Sequence, residues 1–186
     1  MPARDPIALL LAAAVAAVVA LAARSARATP TSPDGFHRTG SAVQTANHWP
    51  FTMDVFAIWH ECRDVPATRS RQALVELDAD KRFTLRMLRD VDADRLRAGL
   101  RDGYHRNGYT DDGRIDRFLS ALTGTLPSGK VVWIVYDAPR KTTRLVVDGG
   151  ATATMDGVAF MEATWSIWLG RSKPSELGDA LVRDLP

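Results

Sequence analysis

Residues 130–170 read KVVWIVYDAPRKTTRLVVDGGATATMDGVAFMEATWSIWLG. Val131, Trp133 and Val135 alternate with Val132, Ile134 and Tyr136, so Val131–Tyr136 is apolar on both faces. Such a run predicts a central strand covered on both sides. Asp137-Ala-Pro-Arg140 is turn chemistry, because Pro fixes one backbone dihedral. Thr142–Val147 resumes with β-branched residues, which favour a second strand. Asp148-Gly-Gly150 supplies the positive-φ positions of a tight hairpin, and Thr152–Met155 pairs back as a short third strand. Asp156 is placed to cap a helix. That helix carries Val158, Met161 and Trp165 at helical spacing, with Phe160, Thr164, Ile167 and Trp168 beside them. Its apolar stripe is wide, and Trp165 and Trp168 are expected in the core. Gly170 ends it and Pro174 prevents its resumption.

Working outward, the chain starts with an unbroken apolar run, Ile7–Ala23, preceded by Arg4 and followed by Arg24 and Ala26-Arg27-Ala28. A positive start, an apolar middle and an A-x-A site describe a secretory signal peptide cut after Ala28. The alternative is a retained anchor, for which the run is at the short limit of the about 20 residues needed to span a bilayer. Either way the domain is expected outside the cytoplasm, periplasmic or secreted in the first case and held at the membrane by residues 7–23 in the second. Without residues 1–28 the chain has 21 basic and 21 acidic residues, so no basic excess points to nucleic acid. Cys62 is the only cysteine and cannot form an intramolecular disulfide; it reads as a small buried hydrophobe.

Thr29–Thr45, rich in Thr, Ser, Pro and Gly, reads as a flexible linker, which leaves 46–186 as the domain. In Phe51–His60 (FTMDVFAIWH), Phe51, Met53, Val55, Ala57 and Trp59 share one face, and Phe56 and Ile58 make the other apolar. Pro66 opens a short helix over Ala67–Leu77. Arg82–Leu88 alternates, with Phe83, Leu85 and Met87 toward the core and Thr84 and Arg86 opposite. Asp92–His105 is helical, with Leu96, Leu100, Gly103 and Tyr104 on one face. Thr110 or Asp111 caps the next helix, whose Ile115, Phe118, Leu119 and Leu122 lie at i, i+3, i+4 and i+7. Ser175–Val182 is a last short helix. Strands and helices come in runs rather than strict alternation, which indicates an α+β fold, a sheet with helices on one face.

Three motifs fail on context. Gly124–Lys130 (GTLPSGK) has phosphate-loop spacing, but Val131 follows where Ser or Thr should bind magnesium, and a strand rather than a helix comes next. Asp90, Asp92 and Asp94 alternate like a calcium loop, yet Arg95 occupies its glycine position and Arg101 its bidentate Glu position. The histidines (His37, His48, His60, His105) have no zinc-site spacing, so no metal and no cofactor are expected.

Arg82–Val91 (RFTLRMLRDV) entering a helix, the two-helix insert, the KVVWIVYD/TTRLVVDGG hairpin and Ile167-Trp-Leu-Gly170 followed by Pro174 together resemble the bacterial chalcone isomerase-like proteins. The resemblance spans His48 to Val182. It implies an open-faced β-sandwich, an antiparallel sheet with helices over one face and a ligand cleft between. That family includes true isomerases, fatty-acid-binding relatives and exported bacterial members of unknown role. The isomerases hold a phenolate with a strand Arg, a helix Tyr and nearby Lys, Asn and Thr. Those Arg and Tyr positions fall at His48 and near Leu96, so no catalytic set carries over. The resemblance therefore implies an exported, non-catalytic protein that binds a small amphipathic ligand, such as a fatty acid, in an apolar cleft. Candidate polar lining is His48, Arg86, Tyr104 and Tyr136. One alternative is an intramolecular lyase acting on a phenolic substrate, with His48 replacing the Arg. Another is a structural or partner-binding domain at the membrane, its cleft filled by its own side chains.

Overall fold

The computed structural model describes residues 34–48 and 51–186; the expected leader, residues 1–28, lies outside them. The elements run β1 (His37–His48), β2 (Phe51–Cys62), α1 (Arg71–Glu76), β3 (Lys81–Met87), β4 (Val91–Asp92), α2 (Ala93–Arg106), α3 (Asp112–Leu119), β5 (Thr125–Leu126), β6 (Val131–Asp137), β7 (Thr142–Val147), β8 (Thr152–Asp156), α4 (Val158–Leu169) and α5 (Ser175–Leu181). Six strands form one antiparallel sheet in the order β1-β2-β3-β6-β7-β8. β4 and β5 make a separate two-residue ribbon that frames the insert carrying α2 and α3.

The alternation of side chains fixes which face is core. Ile58, Leu85, Val132 and Val147 stand opposite one another across four strands, and His60, Phe83, Ile134 and Leu145 form the next row. All eight are buried. Lying over them, α4 buries Phe160, Met161, Trp165, Ile167 and Trp168, as its wide apolar stripe requires. The Phe83 ring meets Trp165 at 5.3 Å and Trp168 at 4.8 Å between centroids. Tilted aromatic contacts of this kind add to the burial of the rings. Cys62 is fully buried, as a small hydrophobe.

Four expectations are corrected. The stretch expected as a linker through Thr45 is already strand from His37, and the domain begins before residue 46. β1 has few apolar residues to announce it, because it is an edge strand held by pairing and by one close approach. A Cβ at Gly40 would lie 2.2 Å from the Ala180 carbonyl oxygen of α5, so only glycine lets the helix sit on this strand. Second, β6 is not covered on both sides. Val132, Ile134 and Tyr136 are buried, whereas Val131, Trp133 and Val135 are half-buried on the face away from the helices. Third, Asp156 ends β8. The N-cap of α4 is Gly157 at φ +98°, with no side-chain capping bond.

Fourth, the short helix expected over Ala67–Leu77 with Pro66 opening it is α1, which starts only at Arg71 and is capped by Ser70 accepting from the Ala73 N–H. Asp92 accepts from the Arg95 N–H at the start of α2 and Asp111 from the Arg114 N–H at the start of α3. Within GTLPSGK, Thr125–Leu126 form β5 and Gly129, at φ +85°, makes the turn into β6, so a strand and a turn stand where a phosphate loop would need a helix start. Among the described residues no helix is long and apolar enough to cross a membrane.

Candidate functional site

A cleft of about 570 Å³ opens where the free end of the β1–β2 hairpin, α2, the C-terminal half of α4 and the segment after it converge. Phe56, Leu96, Leu100, Ile167 and Trp168 make its apolar wall. Two glycines shape α2 for this role. A Cβ at Gly103 would come within 2.8 Å of Ile167 Cγ2, so its absence lets α2 touch α4. A Cβ at Gly99 would meet nothing within 4 Å, so its absence leaves the cleft wide.

The rim is polar, with Arg89, Arg95, Arg106 and Lys173 against Asp90, Asp92 and Asp102. The acids are already engaged. Asp90 accepts from the Ser128 N–H at 2.9 Å, Asp92 caps α2 at 3.0 Å, and Asp102 pairs with Arg106. Among the described residues Arg95 and Lys173 have no carboxylate partner. Ser172, which also lines the cleft, has a shielded hydroxyl with no hydrogen-bond partner among the described residues. A buried polar atom left unpaired costs free energy, so this hydroxyl is suited to a polar atom arriving from outside. The mouth therefore favours a negative charge, and the interior favours hydrocarbon.

Between the sheet and α4 lies a second polar cluster, fully buried and internally satisfied. The Trp165 indole N–H donates to His60 Nε2 at 2.8 Å. Nε2 therefore carries no proton, and the ring N–H is on Nδ1, which donates to Thr39 Oγ1 at 2.8 Å. Thr39 passes its own hydroxyl proton to the Leu181 carbonyl at 2.7 Å. Burial, with the Lys81 charge adding to it, holds His60 neutral far below its ordinary titration range. Lys81 Nζ donates to the Leu74 and Val75 carbonyls at 2.7 and 3.0 Å, closing the C-terminal end of α1. Its cation stands 4.8 Å from the Trp165 ring centroid. Burial lowers its pKa to about 7, and burial pushes the Cys62 thiol up to about 12.

The four residues expected to line the site are dispersed. Tyr104 is buried under α4 and donates to Thr164 Oγ1 at 2.8 Å, since the Thr164 proton is committed to the Phe160 carbonyl. Tyr136 is buried at the other end of the sheet and donates to Asp78 Oδ1 at 2.8 Å. Burial raises the pKa of both phenols. Arg86 is exposed on the opposite face of the sheet, 6.0 Å from the Trp59 ring centroid. None of these three lines the cleft. His48 ends β1 opposite Phe51, and its side chain lies outside the described residues. The rim residues Arg95, Ser172 and Lys173 were not singled out from sequence. The available signal was the Gly99/Gly103 pair on the Leu96/Leu100 face, a helix side with room beside it.

The architecture is an open-faced antiparallel sheet roofed by helices on one side, with an apolar cleft at one end. The chalcone isomerase-like family matches residues 65–181, more than half of this 186-residue chain, and the chain belongs to that family. Among solved structures, the fold is similar to that of the Arabidopsis thaliana fatty-acid binding protein AtFAP1. The TM-score is 0.66 at 13% identity, over 83% of this chain and 90% of that one. No curated protein sequence matches the chain.

Proposed function

We propose that this protein is a non-catalytic, exported carrier or receptor for a small anionic amphiphile of the fatty-acid type. The observation that carries the reading is the pairing, in one cleft, of an apolar wall with an unsatisfied polar mouth: Arg95, Lys173 and the Ser172 hydroxyl. An acyl chain buried against Phe56, Leu96, Leu100 and Trp168 gains about 0.8 kcal/mol per methylene. A carboxylate at the mouth gains charge-assisted hydrogen bonds. AtFAP1 is a fatty-acid binding protein, which agrees with this chemistry. The apolar leader supports export. The groups best suited to acid–base chemistry, His60, Lys81, Tyr104 and Tyr136, are sealed in the core and bonded to protein atoms, which favours binding over turnover.

The test is native mass spectrometry and extraction of the purified full chain, followed by titration with palmitate and with palmityl alcohol. Palmitate should bind in a one-to-one complex and the alcohol about tenfold or more weaker, since it lacks the charge. Arg95→Glu with Lys173→Glu should remove that preference. Equal binding of acid and alcohol, or no binding of either, would sink the proposal. Chalcone cyclisation should stay at the background rate in the same samples.

A further inference from the structure

The face of the sheet turned away from the helices is organised rather than merely uncovered. Val43, Ala57, Arg86 and Val131 stand opposite one another on four strands, and Ser41, Trp59, Thr84, Trp133 and Val146 form the adjacent row. Among the described residues the large hydrophobic side chains left exposed are Val43 and Leu88, at 44% and 41%. Val43 belongs to this face. Leu88 continues the alternation of Thr84 and Arg86 one step past β3, its N–H bonded to the Val55 carbonyl. Two cations lie over the Trp59 ring, Arg38 at 5.4 Å and Arg86 at 6.0 Å from its centroid. Neither has a carboxylate partner among the described residues. The patch thus combines indole rings, aliphatic side chains and uncompensated guanidinium groups.

A second copy of the chain is a poor occupant, because a two-fold contact through this face would set Arg38 and Arg86 against their own symmetry mates. The chain path favours another. Asp34 bonds Arg82 Nη1 at 2.6 Å, and the Phe36 ring lies 4.3 Å from the Arg82 guanidinium, so the chain reaches β1 across this same face. Ten residues, 24–33, separate Asp34 from the apolar run ending at Ala23. Fully extended they reach about 35 Å.

We propose that this open face rests on an anionic lipid surface. Trp59 and Trp133 would sit at headgroup depth, where indole rings are favoured, and Arg38 and Arg86 would meet lipid phosphates. Docking stands independently of what the cleft binds. The cleft lies on the helix-covered side of the sheet, so docking through this face leaves its lining residues Leu96, Leu100 and Trp168 uncovered.

The experiment uses the full chain reconstituted into phosphatidylcholine vesicles, with or without phosphatidylglycerol, carrying a nitroxide at the headgroup. Tryptophan emission is read, with Trp59→Phe and Trp133→Phe assigning the signal. Quenching of both residues is expected in the anionic vesicles at low salt, with loss as salt screens the charges. Arg86→Glu should reduce the docked-to-free ratio about thirtyfold, for one cation removed and one anion added, and Arg86→Lys should retain it. A thermal melt of Arg86→Glu checks folding, and unchanged palmitate binding by the same sample separates docking from the cleft. Equal quenching in neutral vesicles, indifference to Arg86→Glu, or Arg86-dependent binding of soluble polyglutamate without quenching would each overturn the lipid assignment.

Discussion

The Trp165 indole N–H is 2.8 Å from His60 Nε2, a contact that joins the middle of α4 to the core face of β2. Through the other ring nitrogen it continues to Thr39 on β1 and the Leu181 carbonyl at the end of α5. Four elements meet in one chain of hydrogen bonds, and each donor in it has an acceptor. His60→Ala leaves the Trp165 N–H unpaired and opens a cavity beside Phe83. The expected loss is about 3 kcal/mol, read as a lower midpoint in urea at unchanged slope. A shift below about 1 kcal/mol would mean the bracket contributes little.

Stability should climb with pH across the neutral range. His60 is neutral in the fold, so below about 6.5 the unfolded chain takes up a proton that the folded chain refuses. Lys81 titrates near 7 in the fold against an ordinary value of 10.5, so between those values the unfolded chain again holds the extra proton. Both signs make stability rise as pH rises. Above about pH 9 Cys62 opposes them, because the folded thiol keeps its proton up to about 12. Urea midpoints measured from pH 5 to pH 9 should increase, and Lys81→Met should flatten the part above pH 7. A midpoint that falls over this interval would contradict the assignment.

Gly40→Ala tests the seat of α5 on β1. Its Cβ would overlap the Ala180 and Leu181 backbone, which cannot yield as a flexible side chain does. A loss of at least about 2 kcal/mol is expected, with earlier hydrogen exchange in β1 and α5 than in β6.

Gly99→Trp should close the cleft without disturbing the fold. The new side chain starts in open space on α2, and replacing a helical glycine by Trp recovers about 0.5 kcal/mol of helix propensity. Palmitate binding should fall by an order of magnitude or more while the thermal midpoint holds or rises. Retained binding would place the ligand elsewhere.

Cys62 should resist Ellman's reagent in the native protein and react at once in denaturant, because the thiol is buried and its pKa is raised. Fast native labelling would show that this corner of the core opens readily.

Much of the sheet was legible because its strands are strongly patterned. The order and spans of the β6–β7–β8–α4 run could be read directly from β-branched alternation, a Gly-Gly turn and a wide apolar stripe, whereas the covering of β6 and the cap of α4 could not, because both depend on what packs there. β1 was not legible, because an edge strand needs little hydrophobicity and its real determinant is a glycine fitting a helix distant in sequence. The candidate site was hardly legible at all. Tyr104 and Tyr136 look like a binding pair, but their hydroxyls are spent on Thr164 and Asp78. Lys81 looks like a solvated strand end, yet it is buried over two helix carbonyls. Arg95 looks like one more surface cation, and only the geometry brings it to the mouth beside Lys173. Periodicity says which face a residue occupies, not which distant loop completes that face.

Thr39 and Leu181 lie 142 residues apart, and the Asp184 N–H returns to the Thr39 carbonyl at 2.9 Å. The first long strand is therefore fastened by the last helix. During synthesis β1 can pair with β2 long before its latch at Leu181 and Asp184 has been made. Contacts of such separation pay their loop-closure entropy late and slow folding.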